Sequence, residues 1–269
     1  TKWYGANYSE RIWNNTQALA DQLKEELTVN FLTGRTNREA AEAIGFRFGT
    51  GIQKARRLVR TESTYLANQM EMKSYEESGI ERYRFVAVLD LRTSKICRSL
   101  DGKLFPVSEQ QPGKNCPPMH PYCRSTTTCE LSEEELAKLK RRARNPKTGK
   151  TETVPANMTY EQWYEKYVKG DPEAELNEII IKNKSSDKKQ YEQYREILGK
   201  DAPETLEEFQ RMKYNKSEKW AKLKKKKAIF SEIKEKDWAD EFKDRTRKSY
   251  RKFEKEGFTL SSHALSRLP

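Results

Sequence analysis

The residues able to do chemistry lie close together. Cys97, Cys116, Cys123 and Cys129 are the four cysteines, and His120 stands between the middle two. Eighteen residues separate Cys97 from Cys116, three more lead to His120, and two to Cys123. Three thiolates and an imidazole form a tetrahedral donor set suited to zinc. The loop between Pro106 and Pro121 is rich in proline and glycine. A metal contributes most to folding where the chain has little order of its own, and the prolines would limit how far the ligands wander. The spacing is not that of a standard zinc finger, so a second reading stands beside the first. In it Cys97 and Cys123 are small buried hydrophobes with His120 hydrogen-bonded next to them. A Cys/His nucleophilic pair is the weakest reading, because no third group that would orient His120 is evident.

The elements that must position this loop follow from periodicity. Ile12, Leu19, Leu23 and Leu27 recur at helical spacing, which predicts a helix from about Tyr8 to Val29. Thr36 and Glu39 form a capping box that starts a second helix running to about Ile44. A third is expected from Ile52 to Glu77, stopping near Gly79. Tyr83, Phe85, Ala87 and Leu89 then alternate with Arg84, Val86 and Val88, which predicts a strand. Lys103 to Phe105 and Ser125 to Cys129 are two further candidates. Ser132 with Glu135 caps another helix, Asn145 to Gly149 is a turn, and Thr159 opens a short helix ending at Gly170. Arg60 and Glu62, two apart on the third helix, cannot face each other. Each is expected either to pair with another element, locking helix to sheet, or to stay solvated.

Composition limits the rest. Mean hydropathy is −1.04 and charged residues make up 35% of the chain, too polar for one compact domain of 269 residues. Residues 182–255 hold 24 basic and 15 acidic side chains, a net +9, whereas residues 1–181 hold 28 and 25, a net +3. Such a basic segment suits nucleic acid or an acidic partner, and otherwise a solvated helical face. Lys224, Lys225, Lys226 and Lys227 are the candidate phosphate contacts. Ile229, Phe230, Ile233, Trp238 and Phe242 form a helical stripe that reads better as a packing seam than as a stacking platform. No apolar run is long enough to cross a membrane, and no signal peptide is evident. The chain opens on Thr1 rather than Met.

Several motifs now agree in order and spacing. Leu58-Val59-Arg60-Thr61-Glu62, Val88-Leu89-Asp90 with Thr93-Ser94 and Ile96-Cys97, Leu100-Asp101-Gly102-Lys103 with Phe105, and Pro117-Pro118-Met119-His120-Pro121 with Cys123 to Thr127 resemble the phage Mu F-like minor head protein family. The resemblance covers roughly Ala6 to Thr128. It implies a structural minor capsid protein inside the virion near the portal vertex, made in the bacterial cytoplasm and acting in head assembly, packaging or ejection. It also implies that Cys97, His120 and Cys123 are the family's Cys/His positions. Many relatives lack a cysteine at the position of Cys116, so Asp101 or water are substitutes for the fourth ligand.

Together these readings predict an α+β, predominantly helical chain. Residues 1–130 form the Mu F-like domain, helical over 1–79 and α+β over 80–130, with a Cys/His loop on a small sheet. Residues 131–173 are connecting helices and linker, and 174–257 are an extended basic helical region. The expected partners are the portal protein, packaged DNA and scaffold or major capsid protein, with no membrane and no enzymatic activity. Phe258 to Arg267, including His263, resembles the opening of nuclease-like toxin domains, so 258–269 is read as the start of a further domain. The alternatives are therefore a delivery module for such a toxin and a zinc-containing DNA-binding protein.

Overall fold

The computed structural model describes residues 17–258 except 50 and 216, together with 261, 264 and 267. The chain divides into two compact units, Thr1–Lys169 and Gly170–Pro269.

The first unit opens with three helices, α1 (Gln17–Thr33), α2 (Asn37–Arg47) and α3 (Ile52–Glu77). Leu19, Leu23 and Leu27 pack against Ala40, Ala41 and Ile44 of α2 and Ala55, Leu58 and Val59 of α3. The small side chains of α2 allow this close approach. The expected start of α1 near Tyr8 lies outside the described residues. Thr36 caps α2 with Glu39 reciprocating, as the sequence predicts. α3 ends where expected: Gly79 takes φ +68°, and the amide of Ile80 donates to the Tyr75 carbonyl at 2.9 Å. This 6→1 bond across a left-handed glycine is a Schellman stop.

β1 (Arg82–Val86) lies between β2 (Leu104–Pro106) and β3 (Thr126–Cys129), antiparallel to both. Tyr83 stands opposite Phe105 on one side and Cys129 on the other. The period-2 pattern predicted for this strand is present: Tyr83 and Phe85 are buried, and Met72 and Tyr75 of α3 pack with Tyr83. Between β1 and β2 lies α4 (Lys95–Leu100), a helix that the sequence reading had not marked.

Residues 131–169 contain the expected helices and turn, together with a hairpin that the sequence does not announce. A capped α5 (Glu133–Lys138) leads into the antiparallel hairpin of β4 (Lys140–Arg144) and β5 (Thr151–Pro155), followed by α6 (Tyr160–Tyr167). All of it belongs to the first unit. The Arg144 amide donates to the Leu89 carbonyl at 2.8 Å, the Tyr160 hydroxyl to the Asp90 carbonyl at 3.1 Å, and Trp163 is fully buried.

The second unit is helical, as expected, in α7 (Pro172–Leu198), α8 (Leu206–Tyr214), α9 (Glu218–Glu235) and α10 (Asp240–Lys255). These helices fold back on one another rather than running on as an extended region. Their few apolar positions suffice because they are large: Tyr191, Tyr194, Phe209, Phe230 and Tyr250 build the core with Leu198, Leu223 and Ile233. Aromatic side chains bury more area per residue than any others. The fold class is thus α+β and mostly helical. Among the described residues, no helix is long and apolar enough to cross a membrane.

Candidate metal centre

Two local structures bring the Cys/His residues together. Ser94 caps α4, its hydroxyl accepting from the Cys97 amide, and this sets Cys97 on the first turn. His120 and Cys123 are the ends of a tight turn closed by the Cys123 amide donating to the His120 carbonyl at 3.0 Å. Pro121 occupies the second position of the turn and Tyr122 the third, at φ +60°. A proline followed by a positive φ is the requirement of a type II turn, usually met by glycine. Holding tyrosine there costs on the order of 1–3 kcal/mol, and α3 supplies contacts that offset it. The Tyr122 amide donates to Thr61 Oγ1 at 3.2 Å and its hydroxyl to the Gln53 carbonyl at 3.1 Å. The Thr64 hydroxyl reaches the Cys123 carbonyl at 3.3 Å.

Cys97 Sγ lies 3.4 Å from His120 Nε2 and 3.8 Å from Cys123 Sγ. The ligand atoms of all three residues fall within 4.8 Å of one another. His120 Nδ1 stands 2.9 Å from the Pro121 carbonyl, which can only accept. Nδ1 is placed to donate to that carbonyl, an arrangement that would leave Nε2 to face the sulfurs as in a metal-ligating histidine. The two separations from Cys97 Sγ fit zinc as well. With Zn–S near 2.3 Å and Zn–N near 2.0 Å, tetrahedral angles separate two sulfurs by about 3.8 Å and a sulfur from a nitrogen by about 3.5 Å. The Cys-His-Cys group could hold a metal ion.

The two thiols are inequivalent. The hydrogen bond from Cys123 lowers the pKa of Cys97 to about 6 against the effect of burial, helped by Ser125, Ser94 and the charge of Arg124. Cys123 moves the other way, held protonated by its bond to Cys97 and by desolvation. Arg124 is itself fixed by Asp90, with Nη2 to Oδ1 at 2.8 Å. Burial would raise the Asp90 carboxyl, but the guanidinium and Thr93 outweigh it and hold the carboxyl below its ordinary value.

Two expected fourth ligands are placed elsewhere. Cys116 is not part of the group: it packs among Met72, Tyr75, Tyr83 and Val107, and burial pushes its thiol up to about 12. Its side chain belongs to that apolar cluster, so proximity in sequence does not make it a member of the Cys-His-Cys group. Asp101 is fully engaged in another task. Its carboxylate accepts from the amides of Ala87 at 2.7 Å and Tyr160 at 2.6 Å, and it pairs with Arg141 at 3.0 Å.

Arg60 is exposed and Glu62 buried, so they do part company. The connection from α3 to the Cys/His loop, however, is made by Thr61 and Thr64, which the sequence reading missed. Their spacing of three on one helical face was the available signal. In the second unit the lysine run is divided. Lys224 and Lys225 are exposed, but Lys226 pairs with Glu254 at 2.6 Å and Asp201 at 3.2 Å, and Lys227 lies over the Tyr194 ring. Lys226 is therefore not a candidate phosphate contact. Phe230 is in the core and Trp220 stacks on Tyr194, so the aromatic stripe is a packing seam.

Three packed helices, a three-stranded sheet and a Cys-His-Cys group shared between α4 and a tight turn define a small α+β domain with a candidate metal centre. Residues 21–128 match the family described as Phage Mu protein F like protein. The match bears out the resemblance carried by Leu58 to Glu62 and by the Cys/His loop. The comparisons with curated proteins and with solved structures find no match.

Proposed function

We propose that this chain is a structural minor head protein of a tailed bacteriophage that binds the portal vertex inside the head and acts in assembly, with a zinc ion on Cys97, His120 and Cys123. The family match over residues 21–128 carries the head role. The zinc reading rests on the separations of Cys97 Sγ from His120 Nε2 and from Cys123 Sγ, and on His120 Nδ1 facing the Pro121 carbonyl. Such an ion would cross-link α4 to the His120–Cys123 turn, adding folding free energy where secondary structure is sparse. Water is the remaining substitute for a fourth ligand, since Cys116 and Asp101 are committed elsewhere. The role is structural rather than enzymatic in this reading. Packaged DNA is a secondary partner, met by exposed cations such as Lys224 and Lys225 through salt-dependent phosphate contacts.

Native mass spectrometry of the chain co-expressed with its neighbouring portal protein tests both parts. A complex with about one zinc per copy of this chain is expected. A lone chain would overturn the portal reading, and a metal-free chain the zinc reading. The toxin-delivery alternative rests on Phe258 to Arg267, of which His263 and most others lie outside the described residues.

A further inference from the structure

Beside the Cys/His turn runs a cleft of about 640 Å³ that the head role does not explain. One wall is the end of α1 and the start of α2, another is α3, and the third is the segment from Cys123 to Thr126. No aspartate or glutamate lines it, and three arginines do. Two of these are already neutralised, Arg35 by Glu26 at 3.0 Å and Arg124 by Asp90 at 2.8 Å. Arg60 is exposed and has no ion-pair partner among the described residues. The cleft thus presents one uncompensated guanidinium.

Its buried amides ask for a different kind of partner. Asn68 Nδ2 donates to the Thr64 carbonyl at 2.8 Å, which fixes the side chain's orientation. Its Oδ1 then meets no donor, although the residue is 97% buried. Asn30 repeats the arrangement: Nδ2 faces Asn37 Oδ1, and Oδ1 is without a donor. A buried acceptor left unmatched is unfavourable until a donor arrives. At the rim, Phe31 is half exposed and offers apolar contact.

We propose that this cleft receives an extended segment of a partner protein, with Arg60 pairing a single carboxylate beside the amides of Asn30 and Asn68. The charge balance decides against nucleic acid, because a phosphate backbone is held by several uncompensated cations and only one is present here. One guanidinium with donors and an aromatic rim matches one acidic residue on a peptide. The inference goes beyond the head role and does not depend on a bound metal.

The test uses the full chain and short peptides in matched pairs, each with a central Glu or Gln between randomised flanks. Binding is read by fluorescence anisotropy. Charge-assisted bidentate pairing predicts that Glu members bind at least about tenfold more tightly than their Gln partners. Arg60→Gln should abolish that preference without moving the melting temperature, since Arg60 is exposed, and Arg60→Lys should restore part of it. Equal binding of Glu and Gln members, no binding by either, or a preference that survives Arg60→Gln would overturn the proposal. Displacement of a bound Glu peptide by a single-stranded oligonucleotide, lost in Arg60→Gln, would assign the cleft to phosphate instead and overturn it too.

Discussion

Two buried carboxylates, Asp101 in the first unit and Asp187 in the second, hold their surroundings by opposite means. Asp101 accepts from the backbone amides of Ala87 and Tyr160 and from Arg141, so it joins the end of the sheet, the hairpin and α6. Asp187 lies within α7 and, among the described residues, accepts from side chains alone, those of Gln210, Lys213 and Tyr214 on α8. The difference follows from the backbone. Helices satisfy their own amides, so in the second unit a carboxylate is left to bind side chains. Where strands are short and connections irregular, buried amides need an outside acceptor, and a carboxylate serves. A mostly irregular region is thereby made to depend on single residues.

The largest expected effect breaks the comparison at its first member. Asp101→Ala leaves Arg141 buried without its partner and two amides without an acceptor. Removing one member of a buried ion pair costs about 3–5 kcal/mol. Thermal unfolding of the variant should show the first unit melting early while the second is unchanged. A single unshifted transition would count against Asp101 as the junction.

Cys123→Ser comes next. It removes one of three ligands, so bound zinc should fall to background by elemental analysis and the loop from Pro106 to Pro121 should exchange its amides faster. A ligand present at 100 to 1,000 times its dissociation constant stabilises by roughly 2.7–4.1 kcal/mol, and a loss up to that size is expected. An unchanged melting temperature, together with no metal in the parent chain, would remove zinc from the account.

Asp187 sharpens the comparison through pH. Burial alone would raise its carboxyl, but Lys213, Gln210 and Tyr214 outweigh burial and hold it below the ordinary aspartate value. The stabilisation is therefore present above the unfolded-state pKa, near 4, and is lost as pH falls through the lower folded value. An acid titration followed by circular dichroism should show the second unit losing stability below about pH 4. Asp187→Asn should flatten that dependence, and an unaltered acid limb would show that other carboxylates set it.

The smallest effect concerns the turn. Thr61→Val keeps the shape but removes the acceptor for the Tyr122 amide, at a cost of about 1 kcal/mol, and Thr61→Ser should recover most of it. Chemical denaturation resolves a difference of that size.

What could be read from the sequence was what local rules determine. The Thr36 and Ser132 caps, the bounds of α3, the alternation through Tyr83 and Phe85, and the grouping of Cys97, His120 and Cys123 each follow from residues near one another in the chain. The features that were not legible depend on distant partners. β4 reads Lys-Arg-Arg-Ala-Arg, poor in strand-forming residues, and becomes a strand because β5 pairs with it and Asp101 receives Arg141. Cys116 looked like a fourth ligand because spacing along the chain says nothing of which side of a proline loop faces the core. Lys226 looked like its neighbours until Asp201 and Glu254, from other elements, claimed it.

The hairpin of β4 and β5 has one consequence for modularity. The family match ends at Thr128, yet the strand that supplies Arg141 begins at Lys140. A fragment cut at the edge of family likeness would carry away Asp101 and leave behind the cation and the amide that complete it. In this chain the recognisable segment is not the smallest autonomous piece. Inheritance draws one border and compactness another, about forty residues further on at Lys169.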